Sequence, residues 1–131
     1  APQQALAMAI ELVLTTEADT AHAERLARAL LEARLAVCIS LLPLTSLYHW
    51  QGRIERSTEV QLLIKTSATQ LEALKQLLEE LHSYDTPEWI HWPAHTAGAY
   101  GLWLEGELAP LSPDAGAPDP AGRPGDEALG G

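Results

Sequence analysis

A thiol, Cys38, and an imidazole at the exit of a leucine-rich helical stretch, His82, are the two side chains of this chain best suited to metal chemistry. A thiolate is a soft ligand that selects copper(I) or zinc, and imidazole binds copper and zinc well. Each has a plainer use. A lone cysteine on a core strand is a small apolar filler, and a histidine after a helix interacts favourably with the negative end of the helix dipole. At a helix exit the imidazole is expected to reach solvent with a free nitrogen, whereas burial raises the pKa of a thiol, so His82 ranks above Cys38 as a ligand. His91 and His95 look like a pair, but four residues of extended chain span about 13 Å, far beyond two Zn–N bonds of about 2 Å. Pro93 opposes the helix that would bring them closer. His22 and His49 read as surface residues. The sequence holds no nucleophile motif, phosphate-binding glycine loop or paired-cysteine knuckle, so the expectation is a protein that is not an enzyme.

The elements that must position these groups are organised around Leu35 to Thr66. Val37, Ile39 and Leu41 alternate before Gly52, and Val60, Leu62 and Ile64 alternate beyond it, which is the signature of a hairpin. As one straight strand the seventeen residues from Leu35 to Gln51 would span roughly 56 Å, whereas a domain of about 100 residues has a radius of gyration near 13 Å. The hairpin is too long for its own domain. Pro43, which lacks an N–H, predicts a bend, leaving Leu44 to Gln51 as an arm in need of a partner.

Before the hairpin, Met8, Ile10, Leu12 and Leu14 alternate with Glu11, Val13 and Thr15, a first strand covered fully on one face and partly on the other. Thr16 to Asp19 fits a helix start, and helix formers follow to Arg34 with Leu26, Leu30 and Ala33 on one face. After the hairpin, Ser67 and Gln70 form a capping box for a second helix carrying Leu71, Leu74, Leu78 and Leu81. Trp89 to Pro93 reads as an edge strand, and Ala97 to Glu107 as a short helix that docks Tyr100 and Trp103. The order β, α, β, β, α, β is the split βαβ arrangement, so the expected fold is α+β and ferredoxin-like, with helices on one face of a mostly antiparallel sheet. Residues 1–7 are expected to form a flexible amino terminus and 8–108 the single domain. The last 23 residues, 109–131, hold five of nine prolines, five of nine glycines and four acids, a composition expected to stay disordered.

Eighteen acidic against eight basic residues give a net charge of −10, which opposes nucleic acid and anionic membranes as partners. No apolar run approaches the roughly 20 residues of a membrane span. One cysteine excludes an internal disulfide and suits a reducing, cytoplasmic setting. The amino end lacks the basic and apolar regions of a leader.

Tyr48-x-Trp50-x-Gly52, preceded by Cys38, Pro43 and Ser46 and followed by Glu59 and Lys65-Thr66, is joined downstream by His82-Ser-Tyr84-Asp-Thr-Pro87-Glu88 and by Pro93, Gly98, Tyr100 and Trp103. From about Met8 to Leu108 these ordered signals resemble the CutA family of divalent-cation tolerance proteins. The resemblance implies a ferredoxin-like homotrimer joined through extended hairpins, and a divalent metal ion, copper first and zinc second, bound in the service of metal tolerance. It places Cys38 and His82 at the metal. Thr15 stands where some relatives carry a second thiol. Tyr48, Trp50, Glu59, Lys65, Tyr84 and Glu88 fall on motif positions, which implies a cleft between subunits lined by charges and aromatic polar tips, or equally an interface whose buried tyrosines need partners. Two other functions stay open: a trimeric sensor of a small metabolite, like the PII signalling proteins that the family resembles in architecture, and a trimeric scaffold for a protein partner.

Overall fold

The computed structural model of the chain describes residues 8–108; the two terminal segments singled out above, 1–7 and 109–131, lie outside the described residues. Strand β1 (Met8–Glu17) leads to helix α1 (Thr20–Glu32), then to the hairpin strands β2 (Cys38–Trp50) and β3 (Arg53–Thr66). Helix α2 (Leu71–Leu81), strand β4 (Ile90–Thr96) and helix α3 (Gly98–Leu108) complete the domain. The strands form one antiparallel sheet in the order β2-β3-β1-β4, the expected ferredoxin-like arrangement.

The ladders show where sheet ends and arm begins. β1 pairs with β3 only as far as Glu17↔Val60, while β2 and β3 stay paired from Cys38↔Lys65 to Trp50↔Arg53. Everything from Leu44↔Glu59 outward is therefore a two-stranded ribbon without a third strand. Pro43 does not interrupt the ladder, because β2 is an edge strand and the missing N–H lies where no neighbour needs it. Gln51 and Gly52, at φ of 50° and 79°, close the ribbon with the left-handed geometry of a two-residue hairpin turn.

Residues opposite one another in a ladder share a face. Val13, Thr15 and Glu17 stand with Ile64, Leu62 and Val60, and all six are buried beneath the two helices. Ala23, Leu26, Ala27 and Leu30 of α1 and Leu74 and Leu78 of α2 complete that core. The other face carries Leu12, Leu14, Leu63, Trp92 and Cys38, and there Leu42, Ile90 and Trp92 remain 58%, 50% and 38% exposed. The leucine-rich face of β1 is thus the less covered one.

Local details differ from the sequence reading, and β4 runs Ile90–Thr96 rather than Trp89 to Pro93. The cap of α1 is Asp19, whose carboxylate accepts the His22 N–H at 2.8 Å, while Thr16 and Glu17 remain in β1. Ala33 caps the far end in an exposed position, and Ala23 and Ala27 complete the buried stripe instead. Ser67 and Gln70 do bond each other, but across a turn that precedes α2, whose first helical residue is Leu71. In α3 the buried residues are Gly101 and Leu104; Tyr100 and Trp103, expected to dock, are 46% and 37% exposed. Their spacing misleads because β4 presents Thr96 to the helix, and only a glycine fits against it.

Candidate functional site

Where β1 leaves the sheet, its covered face ends on a carboxylate. Glu17 is 1% exposed, and it accepts hydrogen bonds from the Ala18 and Ser83 backbone N–H groups at 3.2 and 3.1 Å and from the Ser83 hydroxyl. Beside it the side chain of His82 is fully buried. Nε2–H donates to the Thr16 carbonyl at 2.7 Å and lies 3.2 Å from Thr15 Oγ1, while Nδ1 accepts the Tyr84 backbone N–H at 3.0 Å and stands 3.6 Å from Glu17 Oε2. The expectation that His82 reaches solvent is therefore overturned. The chain turns inward after α2, and both ring nitrogens are committed to β1 and to the following loop. An ion could take Nδ1 only by displacing the Tyr84 N–H, so the ranking of His82 above Cys38 falls with the exposure it assumed.

Cys38 opens β2 on the other face of the sheet, half-exposed and directly opposite Lys65. Lys65 Nζ donates to the Tyr100 hydroxyl at 2.6 Å and lies 5.0 Å from the ring centroid. That hydrogen bond, and to a lesser degree the neighbouring Cys38, holds the lysine pKa above its ordinary value. Thr15, the partner of His82, shares its face with Leu62, whereas Cys38 shares its face with Lys65 and Leu12, so one chain does not bring Cys38 and His82 together. Among the described residues no three His, Cys, Asp or Glu side chains converge as a metal cage.

The remaining motif residues do converge. A cleft of about 1030 Å³ runs between the ribbon and the loop before β4, and Tyr48, Trp50, Glu59, Tyr84 and Glu88 all line it. Tyr84 donates to Glu59 Oε2 at 2.8 Å, Tyr48 meets Ser57 Oγ at 2.8 Å, and Thr16 reaches Glu88 at 3.5 Å. Burial first, and then the hydrogen bond to Glu59, push the Tyr84 phenol well above its ordinary pKa. The ring of His82 packs against Tyr84 at 5.0 Å between centroids, so the buried network braces the wall of the cleft. Lys65, expected in this group, does not line it: it shares the sheet face of Glu59 and Ser57 but stands near the opposite end of β3, beside Tyr100. Two lining carboxylates, Glu55 and Asp85, escaped the sequence reading, as did Glu17, which holds the Ser83 backbone next to Tyr84. Glu17 could have been found, since the alternation Val13, Thr15, Glu17 puts a carboxylate on the covered face, where it must find donors.

An antiparallel sheet ordered β2-β3-β1-β4, helices on one face and a ribbon projecting past the third strand define a ferredoxin-like α+β protein with an acidic, aromatic cleft. The chain belongs to the CutA1 divalent ion tolerance protein family, whose family model matches residues 11–107. It is 44% identical over 99 residues to the divalent-cation tolerance protein CutA of Pectobacterium atrosepticum, covering 74% of this chain and 90% of that one. Among solved structures it is similar to CutA from Synechococcus elongatus, with a TM-score of 0.73, 38% identity and coverage of 81% of this chain and 98% of that one. The CutA of Archaeoglobus fulgidus, described as a periplasmic divalent cation tolerance protein, gives 0.70 at 29% identity, covering 76% and 98%.

Proposed function

We propose that this chain serves divalent-cation tolerance by binding a transition-metal ion, copper in first place and zinc in second, as a cytoplasmic homotrimer that is not an enzyme. The observation that carries the metal reading is Cys38, a half-exposed thiol on the open sheet face with a cation directly across the ladder. Sulfur is a soft ligand that suits copper and zinc. His82 serves as a second ligand only at the cost of its bond to Tyr84, so the proposed order is Cys38 before His82. The trimer reading is supported by apolar groups that one chain leaves bare: Leu47 and Ile54, on the ribbon face opposite Trp50, are 69% and 71% exposed. Patches of that kind mark interfaces. Calorimetric titration of copper(II) and zinc into the parent, Cys38→Ser and His82→Ala tests the assignment. Loss of binding in Cys38→Ser with retention in His82→Ala is expected; the opposite pattern overturns it.

A second reading is favoured by the cleft itself, whose volume and aromatic walls suit a small molecule rather than a bare ion. In that reading the protein is a small-metabolite sensor of the PII type.

A further inference from the structure

The cleft carries a charge pattern that neither reading uses. Arg53 is its lining cation, and that guanidinium is already bound to Glu55, Nε to Oε2 at 2.5 Å. Glu59, Asp85 and Glu88 line the same space, and among the described residues none of the three has a cation within ion-pair distance. One oxygen of Glu59 is taken by Tyr84 and one of Glu88 is approached by Thr16, both from neutral hydroxyls that leave the charges uncompensated. Tyr48 and Trp50, 42% and 55% exposed, present ring surface to the same opening.

We infer that this cleft binds an aliphatic polyamine, its ammonium groups on Glu59, Asp85 and Glu88 and its methylenes along Tyr48 and Trp50. The inference rests on the small-molecule reading of the cleft and not on the metal reading. An anion would meet three unscreened carboxylates. A wholly apolar ligand would strip water from those carboxylates and return nothing. A bare metal ion would leave most of about 1030 Å³ and both aromatic walls unused, and the described residues offer no cage of ligands for one. A polyamine satisfies both halves of the lining, since ammonium groups pair with carboxylates and interact with aromatic faces while a flexible aliphatic chain covers the rings.

The test is calorimetric titration of spermidine, at fixed ionic strength, into the full-length parent and into Glu59→Gln, Glu88→Gln, Trp50→Leu and the remote control Glu79→Gln. Sedimentation velocity checks that every variant keeps the parent's assembly. Saturable binding is expected, weakened about tenfold by either cleft carboxamide and severalfold by Trp50→Leu, and unchanged in Glu79→Gln. Hexaamminecobalt(III), an inorganic cation of the same charge, should bind more weakly and ignore Trp50→Leu. Equal loss in Glu79→Gln, or equal affinity for the inorganic ion, would overturn the inference by showing general attraction to an acidic chain. Adenosine triphosphate is titrated in parallel: binding of the nucleotide without spermidine overturns the polyamine and leaves the small-molecule reading standing, and binding of neither overturns both.

Discussion

Replacing His82 by alanine removes the ring that joins β1, the exit of α2 and the wall of the cleft. The Thr16 carbonyl loses its 2.7 Å donor in a buried setting and the Tyr84 N–H its 3.0 Å acceptor in a partly buried one. A buried polar group left unsatisfied costs about 1–3 kcal/mol, and the lost ring contact with Tyr84 adds about 0.5–1.5 kcal/mol. Some relief comes from water entering the space, so a loss of about 3–5 kcal/mol of unfolding free energy is expected, a large share of a typical domain's stability. The effect should also be felt in the cleft, because Tyr84 would lose its backbone anchor while keeping its hydroxyl on Glu59. Equilibrium guanidinium denaturation at one fixed protein concentration measures the loss, and His82→Gln, able to replace one of the two bonds, should recover part of it. A loss below about 1 kcal/mol for His82→Ala would refute the reasoning, since it would mean that the ring's partners reach water or other groups at little cost.

Two glycines of α3 should respond oppositely to alanine. At Gly101 a new Cβ would stand 2.9 Å from Thr96 Oγ1 and 3.3 Å from the Thr96 carbonyl carbon, so Gly101→Ala should destabilise by about 1–2 kcal/mol despite its better helix propensity. Gly106 has open space at that position, and Gly106→Ala should stabilise by up to about 1 kcal/mol; thermal unfolding of the pair decides, and equal shifts would contradict the packing. Tyr84 should ionise above the ordinary value of 10.0 in an alkaline absorbance titration, and Glu59→Gln should lower it only part of the way, because burial is the larger cause. A phenol whose folded pKa is raised contributes stability below its unfolded pKa and loses it as pH climbs toward the folded value, so unfolding free energy should fall above about pH 10 and less steeply in Tyr84→Phe. Leu47→Asp together with Ile54→Asp on the ribbon should shift sedimentation equilibrium at micromolar concentration from trimer toward monomer without lowering the helical circular dichroism.

The alternation of Val60, Leu62 and Ile64, the Gln51-Gly52 turn and the leucine spacing of α2 dictate the hairpin and its covering helix, because each follows from a backbone period and one turn geometry. The overlong hairpin was readable for the same reason: residue count and strand rise are local quantities, and the ribbon past Glu17↔Val60 is their outcome. The motif from Tyr48 to Gly52, Glu59 after it, and the motif from His82 to Glu88 marked five residues that meet in one cleft: Tyr48, Trp50, Glu59, Tyr84 and Glu88. What required tertiary structure was direction. A helix exit says nothing of whether the next side chain turns out or in, and His82 turns in because Thr15, Thr16 and Glu17 of a strand more than sixty residues away offer it partners. Lys65 stays out of the cleft although it shares the sheet face of Glu59, because it stands near the other end of β3, under Tyr100, a neighbour supplied by α3. Gly101, unremarkable in a helical sequence, is required only once Thr96 stands against it, and contacts between elements distant in the chain have no period that a sequence can display.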